Sequence, residues 1–364
     1  MKRLLKWLPA VVAPVVVAGA VAAPAFASGL SEARTSTPSA AQVLALMAKA
    51  KDAHYSGSIT QSSDLGLPEL PSGAMGSAGG GPSSAQASSI LELLTASHKA
   101  QVYVDGQSKQ RIQVLDSLAE RDVVRNGTDL WTWDSKTNKA VHVKLPSKTA
   151  SQDGASTTPT ATPQSLADKL VQNASKTSTL TVSKGSVASH DVWRLTITPK
   201  TTGTLVGKAV LSVDTKTGVP LAAEIDARGQ KTSAVSVAFT RVDFGTPAAS
   251  NFTFTPPKGA KVTQKSLPSH GSHATHPDNR VPGSFERPNI IGSGWTSIVA
   301  VPAGSLGAGM SSLTAGQSQL LNELTQSVDG GRGLQTSLFS VLITSDGRVY
   351  AGAVPLSALE SAAK

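Results

Sequence analysis

The chain has 364 residues, of which 39% are hydrophobic but only 4% aromatic and 16% charged, with a formal charge of +9 and no cysteine. The length suits about two domains and the hydrophobic share suits a packed core, while the missing cysteines exclude disulfides and thiol lipidation. No Lys/Arg block interleaves with aromatics, which argues against a nucleic-acid partner.

Residues 1–27 combine Lys2, Arg3 and Lys6, an apolar run over 11–23 and the small residues Ala25 and Ala27, the pattern of a secretory signal peptide cut after Ala27. An uncleaved signal anchor is the alternative. Cleavage leaves +6, an excess expected to give peripheral contact with an anionic membrane. No later segment reaches the ~20 apolar residues of a bilayer span. The expected location is periplasmic, extracellular or cell-envelope.

The spacing of Val43, Met47 and Ala50 predicts a helix over 38–53, with Ser39 and Gln42 as a capping box. A strand over 55–61 follows, then a Gly/Pro/Ser-rich stretch over 64–87 that reads as a flexible connection or lid. Gly79, Gly80 and Gly81 are no phosphate loop, because no Lys followed by Ser or Thr closes them. A short helix over 89–97 carries Ile90, Leu93 and Leu94 on one side. From His98 the period becomes two, and turns at Asp105/Gly106, Asp116/Ser117 and Asn126/Gly127 divide an antiparallel meander.

The meander ends in the hairpin 126–146, NGTDLWTWDSKTNKAVHVKLP. Alternation puts Trp131 and Trp133 on one face of the first strand, and Val141, Val143 and Leu145 on one face of the second. These apolar sets are expected to share the concave side, leaving Thr132, His142 and Lys144 on the other. Two tryptophans at period two also fit ordinary core.

A Ser/Thr-rich tract over 148–162 precedes a helix over 163–174 with Leu166, Leu170, Val171 and Ala174 as its apolar stripe. Strands over 178–183, 191–198, 208–214, 220–227 and 234–244 complete the half. Ile225 shares a face with Leu221 and Ala223, and Phe239 with Val235 and Val237; a parity change between Phe239 and Val242 predicts a bulge. The expected fold is α+β: an unclosed antiparallel β-barrel of about ten to eleven strands with helices covering the concave side, plus a small C-terminal α+β domain.

The closing phrase NFTFTPPKGAKV (251–262), the hairpin 126–146, the run RLTITPK (194–200) and the TKTG turn (215–218) before an apolar strand resemble the LolA family of periplasmic lipoprotein carriers. They also resemble the related N-terminal domain of RseB/MucB-type sigma-factor regulators. The resemblance covers about residues 42–262 and implies a hollow half-barrel plugged by three helices, with acyl chains held between them. The Gly-rich insertion, the Ser/Thr tract and the C-terminal addition depart from the carrier pattern.

On this reading the apolar cavity is lined by Trp131, Trp133, Val141, Val143, Ile225, Val237, Phe239, Phe252 and Phe254. The partners implied are lipids or acylated lipoproteins. A regulatory sensor binding a membrane protein such as an anti-sigma factor is the alternative. The division expected is 1–27 signal peptide, 38–262 half-barrel, 263–288 Pro/Ser/His-rich linker and 289–364 C-terminal domain. In the linker, His270, His273 and His276 lack acidic or Cys companions and read as a solvated spacer, so no metal is expected. The C-terminal part predicts a strand from Trp295, a helix over 314–327 and a hairpin around Ser345, Asp346 and Gly347. No G-x-S-x-G, H-E-x-x-H or Walker pattern is present and the carboxylates form no acid/base pair, so neither an enzyme nor a cofactor is expected.

Overall fold

The computed structural model describes residues 37–67, 97–116, 119–145, 172, 174–266, 289–303 and 322–364. Helix α1 (Ala40–Lys49) starts at the anticipated capping box: the Ser39 hydroxyl accepts from the Gln42 amide and the Gln42 side chain accepts from the Ser39 amide. Two donors that would otherwise be orphaned are thereby satisfied. A 3₁₀ turn (Ala50–Asp52) leads into β1 (His54–Ser63).

The meander is β2 (His98–Asp105), β3 (Lys109–Asp116), β4 (Ala119–Asn126), β5 (Asp129–Asp134) and β6 (Lys139–Lys144). Gly106 and Gly127 occupy the left-handed conformation that their turns require, φ +67° and +62°. The second half supplies β7 (Ser178–Val187), β8 (His190–Pro199), β9 (Val206–Asp214), β10 (Pro220–Ala227) and β11 (Ser233–Asp243). A 3₁₀ turn (Ala249–Phe252) and β12 (Lys261–Ser266) follow.

These twelve strands form one sheet in the order β12-β6-β5-β4-β3-β2-β1-β11-β10-β9-β8-β7, open at both ends. The halves join through the antiparallel β1–β11 ladder, where the register shifts between Ser58 and Ile59 and skips Thr240, the expected bulge. The unclosed, helix-backed sheet is the architecture that the family resemblance implied. The count exceeds the ten to eleven strands expected because Lys261–Ser266 adds a twelfth, and it pairs with β6 in parallel.

Helix α1 packs on one face of the second half, where Val43 meets Leu195 and Val213 and is flanked by Trp193, Ile197 and Leu211. The expected helix over 89–97, save Ser97, and most of that over 163–174 lie outside the described residues, as do the expected signal peptide, the glycine-rich stretch beyond Leu67 and nearly all of the linker; residues 174–177 are helical.

A six-stranded sheet completes the described chain: β13 (Asn289–Ile291), β14 (Ile298–Val301), β15 (Gln326–Val328), β16 (Gly331–Gln335), β17 (Ser340–Thr344) and β18 (Val349–Gly352), in the order β13-β14-β18-β17-β16-β15. Gln326 and Ser327, expected to end a helix, belong to a strand; residues 322–324 are helical. The segment from Trp295 begins as a 3₁₀ turn (Gly294–Thr296) before β14. The terminal helix α2 (Leu356–Ala363), not anticipated, puts Leu356 and Leu359 on Ile298, Leu342 and Tyr350.

The two sheets share an apolar joint. Leu65, Val206, Ala227 and Ala234 cluster with Leu338, and Trp295, Phe339 and Ala353 pack around them. The Leu205 amide and the Thr204 hydroxyl donate to the Ala353 carbonyl at 2.9 and 2.6 Å, the Ser337 amide donates to the Leu65 carbonyl at 2.9 Å, and the Trp295 indole donates to Ser178 Oγ at 2.8 Å.

Candidate functional site

Residues directly opposite in an antiparallel ladder project to the same face. Tracing the registers outward from the α1-packed strands therefore identifies the inner face of the whole sheet. Leu195 is opposite Leu211, Leu211 opposite Ala223, and Ala223 opposite Val237. Past the bulge, Phe239 is opposite Ile59, and Ile59 opposite Ala100 and so alongside Val114. One row further, Val102, Ile112, Val123, Thr132 and Val141 stand in line across five strands, and Leu130 pairs with Val143 in the next.

Much of this face is apolar, and many of its side chains remain half-buried: Ile59, Ile112, Val114, Val123, Leu130, Val141, Val237 and Phe239. Ile225, opposite Ala209 and Val235, is 37% exposed. Where α1 lies, by contrast, Leu195 and Val213 are sealed. Tyr55 packs edge-on against Phe239 at 6.0 Å, and burial pushes its phenol up to about 12. Val141, Val143, Ile225, Val237 and Phe239 are thus on the face where the sequence placed them.

The tryptophans are not. Trp131 is opposite His142 and Trp133 opposite Ala140, whereas Val141 is opposite Thr132. The expectation that Trp131 and Trp133 share a face with Val141 and Val143 is corrected: the tryptophans lie with His142 and Lys144 on the outer face. Alternation fixes parity within each strand, but the register across the turn decides which parities coincide.

On the outer face the tryptophans meet the segment between β11 and β12. Phe252 is buried and Phe254 sits against both rings, 5.4 Å from Trp131 and 6.2 Å from Trp133. Phe252 and Phe254 therefore also leave the inner face. His142 stacks on Trp131 at 4.2 Å and 7°, and its Nε2 is 2.7 Å from Asp129.

Elsewhere the outer face is polar and paired. Arg194 meets Glu224 at 3.2 Å, Lys208 meets Asp226 at 3.2 Å, and Asp105 takes Lys109 at 3.0 Å and His54 at 2.6 Å. Asp129 is held below the usual carboxylate range by its hydrogen bonds from Lys144 and then His142. Asp122 goes the other way. It is 3% exposed, and burial raises its pKa against the opposing pull of Arg111, whose Nη2 is 2.6 Å from Oδ2; nearby Glu120 adds to the rise.

Missed at the sequence level were Ile59, Ile112, Val114 and Val123, although the alternation in KQRIQVLD and AERDVVRN marks their parity. Among the described residues no three His, Asp or Glu side chains gather as metal ligands, and His270, His273 and His276 lie outside them. No described helix is long and apolar enough to cross a membrane.

No known family model matches the chain, and no curated protein matches it. Solved structures do. The chain is similar to the crystal structure of MucB in complex with MucA(peri), at 15% identity over 88% of this chain and 96% of that chain, with a TM-score of 0.43. It is similar to the Pseudomonas aeruginosa MucA/MucB complex at 14% identity over 88% and 94%, TM-score 0.41. A LolA superfamily protein from Nitrosomonas europaea is 12% identical over 60% of this chain and 99% of that one, TM-score 0.24.

Proposed function

We propose that this protein is an exported, non-enzymatic binding protein that holds lipid or lipoprotein acyl chains against the inner face of its large sheet, as a carrier or envelope chaperone. The observation that carries the reading is the row from Val102 through Ile112, Val123 and Thr132 to Val141, apolar but for Thr132, in which Ile112, Val123 and Val141 stay half-buried and which α1 does not cover. Val143, Ile225, Val237 and Phe239 extend the same surface. Such a site works by burial alone. Each methylene removed from water contributes ~0.8 kcal/mol, so an acyl chain needs no reacting group to be held.

The test is native mass spectrometry of the exported protein for co-purified lipid, paired with displacement of a fluorescent fatty acid from Val123→Trp and Val141→Trp. Filling the face without adding charge should weaken binding of long chains by tenfold or more, about 1.4 kcal/mol. Equal affinity in both variants and wild type, with folding intact by circular dichroism, would refute the assignment.

A second reading has one observation in its favour. In the C-terminal sheet Ile290 is 66% exposed and stands opposite Val299, 39% exposed, an apolar surface with no part in holding a chain on the large sheet. A sensor that docks a membrane protein would use it. Pull-down from membranes separates the two: many acylated cargoes favour the carrier, one saturable membrane protein favours the sensor.

A further inference from the structure

The charges at the β12 end of the large sheet are sorted by face. Paired residues share a face in the parallel β6–β12 ladder as they do in the antiparallel ones. Arg121, Arg125, Lys139, Lys261 and Lys265 therefore lie on the inner side of β4, β5, β6 and β12, where Asp134 is the one carboxylate. The outer side of these four strands carries Glu120, Asp122 and Asp129 and one lysine, Lys144. Either sign of charge would hydrate the end of a sheet, yet here the sign follows the face.

The inner cations form two rows with the apolar row between them. Arg121, Asp134, Lys139 and Lys261 line up across the four strands; two residues away along each strand, about 7 Å, stand Val123, Thr132, Val141 and Thr263; two further stand Arg125, Leu130, Val143 and Lys265. Asp134 offsets little of this charge, because its Oδ1 already accepts from the Thr137 amide and hydroxyl at 2.8 and 3.0 Å. Among the described residues Lys139, Lys261 and Lys265 have no ion-pair partner. Lys139 and Lys261 are exposed and in direct register, an arrangement in which like charges repel and a bound anion would relieve the repulsion. From this basic corner the apolar row runs on through Ile112 to Val102, four strand spacings or about 19 Å from Val141. Charge at one end and hydrocarbon along the rest match an amphiphile with an anionic headgroup.

We propose that Lys139, Lys261 and Lys265 form a headgroup subsite that selects acyl chains ending in a phosphate or carboxylate, with the headgroup at β12 and the tail laid across the strands toward β2. This rests on the acyl-binding reading of the inner face and adds to it the class of lipid and its direction. The ammonium groups supply charge without a fixed fork, which suits a compact oxyanion.

The experiment is displacement of the uncharged dye Nile red from the full exported chain by three lipids that share a palmitoyl tail: palmitate, palmitoyl lysophosphatidate and the neutral monopalmitoylglycerol. At low salt the two anions should bind about tenfold more tightly than the neutral lipid, and the gap should narrow as salt rises. The tighter anion assigns the headgroup as carboxylate or phosphate. The double variant Lys139→Gln with Lys261→Gln, and Lys265→Gln by itself, should shrink the gap and leave monopalmitoylglycerol unaffected, whereas Lys→Arg at the same positions should preserve it. Equal binding of all three lipids, or a gap that the Gln variants do not change, overturns the proposal and leaves the acyl-binding reading standing. Gln variants that aggregate while their soluble fraction keeps the full gap would make the lysines guards of an exposed edge strand, which also overturns it. Failure of every lipid to displace the dye, monopalmitoylglycerol included, would overturn the acyl-binding reading and the subsite with it.

Discussion

Asp122 illustrates what one side chain reveals. Its folded pKa is raised, so the stability tied to its protonated form is fully present below the unfolded pKa and is lost as the pH climbs through the folded one. Asp122→Asn cannot titrate. Its stability relative to wild type, measured by urea denaturation, should therefore rise as the pH climbs above the unfolded carboxylate value and level off once the folded carboxyl has ionised; a flat difference would show that burial does not govern the group. Asp129 carries the opposite sign, contributing stability above the unfolded value that disappears as the pH falls through the depressed folded one. Lys144→Ala removes the ammonium that does most to lower it and should move the Asp129 carboxyl signal in an NMR titration up toward the ordinary range. None of this was legible in the sequence, where Asp122 and Asp129 look like any solvated carboxylate on a polar strand. Trp133, which stands opposite Asp122, packs against Phe254 from more than a hundred residues further along the chain.

At the scale of elements, the strands were legible because alternation and Gly-containing turns recur every eight to twelve residues. Helix α1 was legible for a different reason, its capping box. Other elements were not, among them α2, β12, β13 and β15. Helix α2 is too short for a convincing period, and β12 is a brief, largely polar run whose pairing to β6 nothing local announces. The tryptophan assignment failed at the same level: parity was read correctly and the facing partner was not. Gly218, at φ +76°, ends the TKTG turn with its α-carbon against the Leu46 carbonyl of α1. Gly218→Ala would strain the backbone and collide with that oxygen, and should cost roughly 1–3 kcal/mol in chemical denaturation. Phe252→Ala should cost about 3–5 kcal/mol by the same measurement, since it empties a fully buried site over Val124. A loss below about 1 kcal/mol in Phe252→Ala would mean that the segment carrying it is not part of the folded core.

For the whole molecule, the two sheets were foreseeable from the break in composition over 263–288, but their joint was not. It is built from Leu65, Val206, Ala227 and Ala234 on one side and Leu338 on the other, residues that sit at strand ends or in turns and show no pattern. Leu338→Asp should put an unpaired carboxylate into this cluster. Calorimetry is expected to show the melting transition dividing in two, with protease reaching the C-terminal sheet first; one unchanged transition would mean that the joint does not couple the halves.

The parallel pairing of β12 with β6 has a bearing on biogenesis. Strand β6 leaves the ribosome roughly 120 residues before its outer neighbour exists, and until then it offers a row of free amides and carbonyls to any other extended chain. Export in an unfolded state, or a holdase that escorts the nascent polypeptide, would remove that hazard. A version truncated at residue 244 should keep it permanently, and sediment as aggregates where the intact chain stays dispersed.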